Sequence, residues 1–172
     1  MGRVGPGYSR PRPIGQDDDT SQFSCGDDPI DQWLRRYAIA NHFGGGARTY
    51  VTLRDSQVVG YYALAAASIQ RADATPRAAK AMPQPVPAIL LGRLGVDRKE
   101  AGQGLGTFLL RDAVIRTLGA ADVIGVRVLL VHAASEDARN FYLKRGFDPS
   151  PTDPMHLMVL LKDARSILGN KT

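Results

Sequence analysis

Residues 94–106 read LGVDRKEAGQGLG, and this stretch decides the fold prediction. The apolar run that leads into it, residues 88–96, predicts a buried strand whose glycines mark a bulge or a close approach by another group. Apolar residues recur at helical spacing from Leu105 onward and predict a helix. The loop between them contains three glycines, Gly102, Gly104 and Gly106. Because free backbone N–H groups and the helix dipole at a helix N-terminus attract anions, the stretch predicts a phosphate-binding loop.

Two other nucleotide-binding loops are tested by the same residues. A P-loop ends in Gly-Lys-Ser or Gly-Lys-Thr, whereas Gly106 is followed by Thr107 and Phe108. A dinucleotide fingerprint is G-x-G-x-x-G after the first strand of a βαβ unit, whereas this loop is G-x-G-x-G and lies past mid-chain. The residues therefore argue against both loops.

The composition predicts one globular domain over residues 1–172, because 44% of the residues are hydrophobic and 23% are charged. Cys25 is the only cysteine, which excludes an intrachain disulfide and a cysteine metal cluster, and we predict no metal site. No apolar run reaches the roughly 18 residues that span a bilayer, and Met1–Pro13 lacks the core of a secretion signal. We therefore expect a cytoplasmic protein with no membrane partner. The net charge of +5 suits a polyanion such as nucleic acid, or a phosphate-bearing cofactor.

Helical and strand periodicity predicts the other elements of the chain. Residues 1–22 are rich in glycine and proline and predict an irregular lead-in with one short edge strand. Asp27 is an N-cap candidate that precedes Pro29 and an amphipathic helix, which ends before Gly44. Residues 163–172 are expected to form a flexible tail. We further predict a hairpin of strands at 48–54 and 58–69, a weak helix at 72–82, a strand at 126–131, a helix at 135–145 and a closing strand at 157–161.

The loop and a later segment resemble two signatures of the GNAT acetyltransferases. The family motif R/Q-x-x-G-x-G/A falls on residues 101–106, and Ala101 departs from the Gln or Arg that is usual there. Asn140-Phe141-Tyr142 followed by Arg145-Gly146-Phe147 resembles the second signature. The resemblance covers roughly residues 48–161. It implies an α/β (α+β) GNAT fold, with a mixed central sheet of splayed strands flanked by helices.

This resemblance also implies acetyl-CoA as the cofactor. In the family, the strand backbone at Leu94 and Val96 pairs with the pantetheine arm, and loop amides bind the pyrophosphate. Tyr142 falls where the family's phenol protonates the departing thiolate, so we predict it as the general acid. Asn140 matches a position that hydrogen-bonds the cofactor, although an exposed helical Asn is an equally good interpretation. The predicted cofactor-binding residues are Leu94, Gly95, Val96, Ala101, Gly102, Gln103, Gly104, Leu105, Gly106 and Asn140.

The residues do not single out a general base. His132 ends a predicted strand and could accept a proton, but a single histidine at a strand end is more often structural. An amine that is largely neutral near pH 7 needs little assistance, and water could take its proton.

A closer resemblance, to GNAT toxins of the TacT and AtaT type, spans nearly the whole chain. It rests on Phe23-Ser24-Cys25-Gly26, on the helix that contains Trp33-Leu34-Arg35-Arg36-Tyr37-Ala38, on Gly60-Tyr61-Tyr62-Ala63-Leu64-Ala65-Ala66 and on residues 149–155. It implies acetylation of the α-amino group of aminoacyl-tRNA, a block of translation, neutralisation by a ribbon-helix-helix antitoxin, and a homodimer. The candidate tRNA-binding residues are the basic side chains Arg35, Arg36, Arg77, Lys80 and Arg93.

Two alternatives stay open at this point. An N-acetyltransferase that acts on a small-molecule or protein amine would use the same loop and the same Tyr142. A module that only binds acetyl-CoA or nucleic acid would keep its activity after Tyr142→Phe.

Overall fold

The computed structural model describes residues 7–169, which contain both strands and helices. The helical segment after the lead-in contains a π-helical turn, Trp33–Tyr37, between two α-helices. The strands are β1 (Arg12–Pro13), β2 (Arg48–Arg54), β3 (Gln57–Ile69), β4 (Val86–Val96), β5 (Val128–His132), β6 (Asp148–Pro149) and β7 (His156–Leu160). The helices are α1 (Asp28–Gln32), α2 (Ala38–Gly44), α3 (Pro76–Ala79), α4 (Leu105–Ala121), α5 (Glu136–Leu143) and α6 (Leu161–Gly169).

The strands form a mixed sheet in the order β1-β2-β3-β4-β5-β7-β6. β4 and β5 are parallel, whereas β1–β2, β2–β3, β5–β7 and β6–β7 are antiparallel pairs. The predicted fold class, a mixed central sheet flanked by helices, is therefore confirmed. None of the helices within residues 7–169 is long and apolar enough to cross a membrane.

The chain divides into two compact units. The first contains Met1–Ala65 and Gly92–Asp112, and the second contains Ala66–Leu91 and Ala113–Thr172. The candidate residues at 94–96 and 101–106 belong to the first unit. Asn140 and Tyr142 belong to the second.

The core of the first unit joins the α1–α2 segment to the β2–β3 hairpin. Tyr61 in β3 is fully buried, its ring meets that of Phe23 edge to face at 5.6 Å, and its hydroxyl donates to the Ile30 carbonyl at 2.7 Å. The predicted N-cap is confirmed, because the Asp27 carboxylate accepts the N–H of Ile30 at 3.2 Å. Gly45 adopts φ +88° and terminates α2 in the left-handed conformation typical of helix ends. These contacts fix β3 against the helices.

The core of the second unit is built on β5. This strand pairs with β4 from Ala88↔Val128 to Leu91↔Val131, and with β7 from Val128↔Leu160 to His132↔His156. With partners on both edges, β5 is apolar up to its last residue, as a central strand should be. Val128, Leu130 and Met158 are buried in one apolar cluster with Val86.

The structure agrees with the prediction for residues 7–22 but differs from the prediction for residues 163–169. Residues 7–22 are irregular except for β1, which pairs with β2 as the short edge strand expected, while residues 1–6 lie outside the described residues. The predicted tail differs, because residues 163–169 continue α6. Leu161 and Ala164 are buried at helical spacing and anchor this helix. The prediction of a tail did not take this spacing into account. Residues 170–172 lie outside the described residues.

Candidate active site

The glycine loop has the geometry of an anion-binding turn. Gly102 and Gly104 adopt φ of +80° and +81°, and no atom lies within 4 Å of the place where a Cβ would stand on either. Glycine is therefore required by the backbone conformation and not by crowding. The N–H of Phe108 donates to the Gly104 carbonyl at 3.1 Å and is the first intrahelical donor of α4. The N–H groups of Leu105 and Gly106 precede it and have no intrahelical partner, so they can bind an anion.

A buried carboxylate holds the turn that leads into this loop. Glu100 is 8% exposed and accepts hydrogen bonds from the Arg54 guanidinium at 2.8 Å and from the Tyr8 hydroxyl. The hydrogen bond to Glu100, followed by burial, raises the pKa of Tyr8, so the phenol remains a donor. The arginine also compensates a negative charge next to a loop that must attract an anion. No local sequence pattern indicates this cluster, since Tyr8 and Arg54 lie 92 and 46 residues from Glu100.

The end of β4 offers an unpaired backbone edge. Within residues 7–169 the pairing of β4 with β5 ends at Leu91↔Val131, while β4 continues to Val96. An extended chain such as a pantetheine arm can add to an edge of this kind. We expected Gly95 to allow a close approach of the cofactor, but a Cβ there would lie 2.9 Å from Ile30 Cγ2. The glycine is thus explained by the packing of α1 against β4.

The other two predicted residues of the loop are exposed, Ala101 and Gln103. The Ala101 N–H donates to the Arg98 carbonyl at 3.2 Å. In this structure that amide is therefore engaged within the turn, and the role of Ala101 in cofactor binding stays a prediction. Asn140 is an exposed residue of α5, and its side chain has no hydrogen bond within residues 7–169.

Tyr142 lies in α5 within a cluster of aromatic rings. Phe141 and Phe147 each meet its ring at an angle, with centroids 5.2 Å away. The residue is 7% exposed, and burial raises the pKa of its phenol, while Arg145 lowers it to a smaller extent. Within residues 7–169 no group forms a hydrogen bond with this phenol. Tyr142 is consequently a protonated donor whose hydrogen is available to a bound molecule.

The five predicted tRNA-binding residues fall into two groups. Arg35 donates to a backbone carbonyl at 2.6 Å, the Arg93 guanidinium lies 4.6 Å from the centroid of a tryptophan ring, and Arg77 forms an ion pair of 2.9 Å with a carboxylate of α6. These three side chains have structural contacts. Arg36 and Lys80 are exposed and form no hydrogen bond or ion pair within residues 7–169. They are the two that are fully available to a polyanion.

Two histidines come together at the end of β5. The imidazole of His132 stacks on that of His156, with ring centroids 3.9 Å apart. Sequence analysis could not find this pair, because it depends on the register of β5 against β7. Among the described residues, no group of three or more His, Cys, Asp or Glu side chains is arranged to hold a metal ion.

Comparison with known proteins gives consistent matches. A family model described as an acetyltransferase (GNAT) domain matches residues 45–149. A tRNA-acetylating toxin of Mycobacterium tuberculosis (strain ATCC 25618 / H37Rv) is 56% identical over 164 residues, which are 95% of this chain and 99% of the relative.

Two solved structures of the toxin AtaT are similar to the whole chain. AtaT complexed with acetyl-methionyl-tRNAfMet has a TM-score of 0.84 and 28% identity, and the match covers 94% of this chain and 99% of AtaT. A Tyr-to-Phe mutant of AtaT bound to the C-terminus of the antitoxin AtaR and to acetyl-CoA has a TM-score of 0.80 and 26% identity, with 95% and 99% covered. The family match contains β4, the glycine loop and α5, and the chain therefore belongs to the GNAT acetyltransferase family.

Proposed function

We propose that this chain is an acetyl-CoA-dependent N-acetyltransferase toxin that acetylates the α-amino group of aminoacyl-tRNA. The observation that carries the proposal is the 56% identity, over nearly the full length of both chains, with a tRNA-acetylating toxin. The nitrogen of an acetylated α-amine is part of an amide and is no longer a nucleophile. Such a tRNA cannot accept the growing peptide, so translation stops.

The glycine loop and the end of β4 supply the groups that hold acetyl-CoA, which contributes an activated acetyl thioester. The N–H groups of Leu105 and Gly106, the positive end of the α4 dipole and the conformation of the loop suit the pyrophosphate. The backbone of Leu94 and Val96 suits the extended pantetheine arm. The AtaT structure with bound acetyl-CoA supports this choice of cofactor.

Helix α5 supplies the proton for the leaving group. Tyr142 donates its phenol proton to the sulphur as the carbon–sulphur bond breaks. The raised pKa of this phenol keeps it protonated throughout the pH range in which an aminoacyl ester survives. The nucleophile is an α-amine, whose pKa of roughly 7.7–8.0 in a free chain leaves part of it neutral at pH 7.

The tRNA backbone is bound by basic side chains, foremost Arg36 and Lys80. Both are exposed and uncommitted in the described part of the chain, whereas Arg35, Arg77 and Arg93 contribute charge from fixed positions. The AtaT complex with acetyl-methionyl-tRNAfMet supports a tRNA as the bound polyanion.

The proposed antitoxin, oligomeric state and location are inferred from the same relatives. We propose neutralisation by a ribbon-helix-helix antitoxin, which the AtaT complex with the antitoxin AtaR supports, and a homodimer as the active form. The reaction takes place in the cytoplasm, where charged tRNA is found. Residues 1–172 act as one catalytic domain, which the single family match at 45–149 supports.

The test is acetyl transfer to charged tRNA by the native protein and by Tyr142→Phe. The variant should retain its affinity for acetyl-CoA and lose transfer by about 10²–10⁴-fold, the usual contribution of a general acid. Tyr37→Phe is the matched control, since Tyr37 is 52% exposed and should keep native activity. Native activity in Tyr142→Phe would remove Tyr142 from the mechanism.

A further inference from the structure

The imidazoles of His132 and His156 stack at one end of β5 and β7, on the face of these strands whose next residues are buried. The two residues are directly opposite in the β5–β7 ladder, their ring centroids are 3.9 Å apart and the ring planes differ by 21°. The preceding pair on this face, Leu130 and Met158, is buried in the core. His132 itself is exposed, and the side chain of His156 is 40% exposed, so both imidazoles reach solvent.

The turn before β7 fixes the orientation of the pair. The Asp153 carboxylate lies 3.5 Å from His156 Nε2, and the backbone N–H of His156 donates to the Asp153 carbonyl at 3.1 Å. The same turn is attached to α5, because Arg139 Nε donates to the Pro154 carbonyl at 2.8 Å. Asp153 is therefore the charged group beside the imidazole pair, and Arg139 contacts the same turn from α5.

His132 is uncharged near neutral pH. Burial, followed by the neighbouring His156, lowers its pKa, and Asp153 opposes this shift only in part. One imidazolium can stack favourably on a neutral imidazole, whereas two imidazolium rings at this separation repel. The pair therefore accepts one proton and resists a second.

The pair follows directly on the last residue pair of β4 and β5. Val131 forms the last pair with β4, and His132 is the next residue of β5. Tyr142, the proposed acid, is one helical turn along α5 from Arg139, which contacts the turn beside His156. α5 therefore carries Tyr142 and also contacts the turn that precedes His156.

We infer that His132 accepts the proton that leaves the attacking α-amine, and that His156 and Asp153 orient its ring for this step. The inference rests on the proposed function. The amine nitrogen bonds to the acetyl carbon as the carbon–sulphur bond breaks. The nitrogen gives its proton to His132, and the sulphur takes the phenol proton of Tyr142. Solvent then carries the proton from the imidazolium to the phenolate, which restores the enzyme.

The test is the pH dependence of kcat/KM with charged tRNA between pH 4.5 and pH 8, for the native protein, His132→Gln and His156→Gln. In the native protein both the substrate amine and His132 must be unprotonated, so log kcat/KM falls by about two per pH unit below both pKa values. In His132→Gln the slope falls to about one, because only the amine still titrates, and the rate at pH 7 falls by about 10²-fold. His156→Gln keeps the slope of two, but its acidic limb moves to higher pH because the neighbour that lowers the pKa of His132 is lost.

Each alternative gives a different result. A slope that stays at two in His132→Gln overturns the inference, whatever the loss of rate. A rise in KM for charged tRNA with unchanged slope also overturns it, and identifies the imidazole pair as a stacking surface for a nucleobase. Acetyl-CoA affinity and the melting temperature are measured in parallel to verify that the variants fold. If the native protein transfers no acetyl group to charged tRNA, the proposed function itself is contradicted. Measuring the native protein beside His132→Gln distinguishes that result from a failure of the role assigned to His132.

Discussion

Replacing Gly104 with alanine isolates the conformational requirement of the glycine loop. Gly104 adopts φ +81°, and an added Cβ meets no atom within 4 Å, so the whole penalty is the left-handed backbone. That penalty is about 1–2 kcal/mol for a residue with a Cβ. If the loop must keep this conformation to bind the pyrophosphate, the dissociation constant of acetyl-CoA rises by about 5- to 30-fold.

Gly45→Ala is the matched control for this experiment. Gly45 adopts φ +88° and also has open space around its missing Cβ, but it terminates α2. Both variants therefore carry the same kind of strain, and only Gly104→Ala should weaken acetyl-CoA. Isothermal titration calorimetry measures the dissociation constants, and thermal unfolding measures the loss of stability. Native affinity in Gly104→Ala, or an equal loss in Gly45→Ala, would refute the role assigned to the loop conformation.

Two further predictions concern the surroundings of the loop. Gly95→Ala brings a Cβ to 2.9 Å from a side-chain methyl group of α1 and should lower the free energy of unfolding by about 1–3 kcal/mol. Gly119→Ala, in open space on α4, should raise the free energy of unfolding by up to about 1 kcal/mol. Denaturant titrations in which both variants change the free energy of unfolding in the same direction would contradict the packing of α1 against Gly95. Tyr8→Phe removes one hydrogen bond to Glu100 and should raise KM for acetyl-CoA while kcat is retained, because the loop loses support before the chemistry does. Steady-state kinetics measure this, and an unchanged KM would separate Glu100 from the cofactor site.

Features that depend on local sequence could be predicted. The helix start at Asp27, the helix end at the glycines from Gly44 and the β2–β3 hairpin follow from capping preferences and periodicity, and the structure confirms them. The positive φ angles of Gly102 and Gly104 agree with the predicted anion loop.

Features that depend on long-range pairing could not be predicted. The cluster at Glu100 and the stack of His132 on His156 require strand registers that no local pattern contains. The contact of Arg93 with an indole ring could not be predicted either, since the sequence shows only that the residue is basic. The packing reason for Gly95 could not be predicted either, because the helix that lies against it is distant in sequence.

The most direct test of the account is transfer of labelled acetyl from acetyl-CoA to a mixed pool of charged tRNAs, with uncharged tRNA, small amines and protein offered in parallel. Nuclease digestion releases the labelled product for identification. The account predicts label on N-acetylaminoacyl-adenosine from charged tRNA and none on uncharged tRNA. Label on small amines or protein, with charged tRNA left unmodified, would contradict it and identify a GNAT enzyme with a different acceptor.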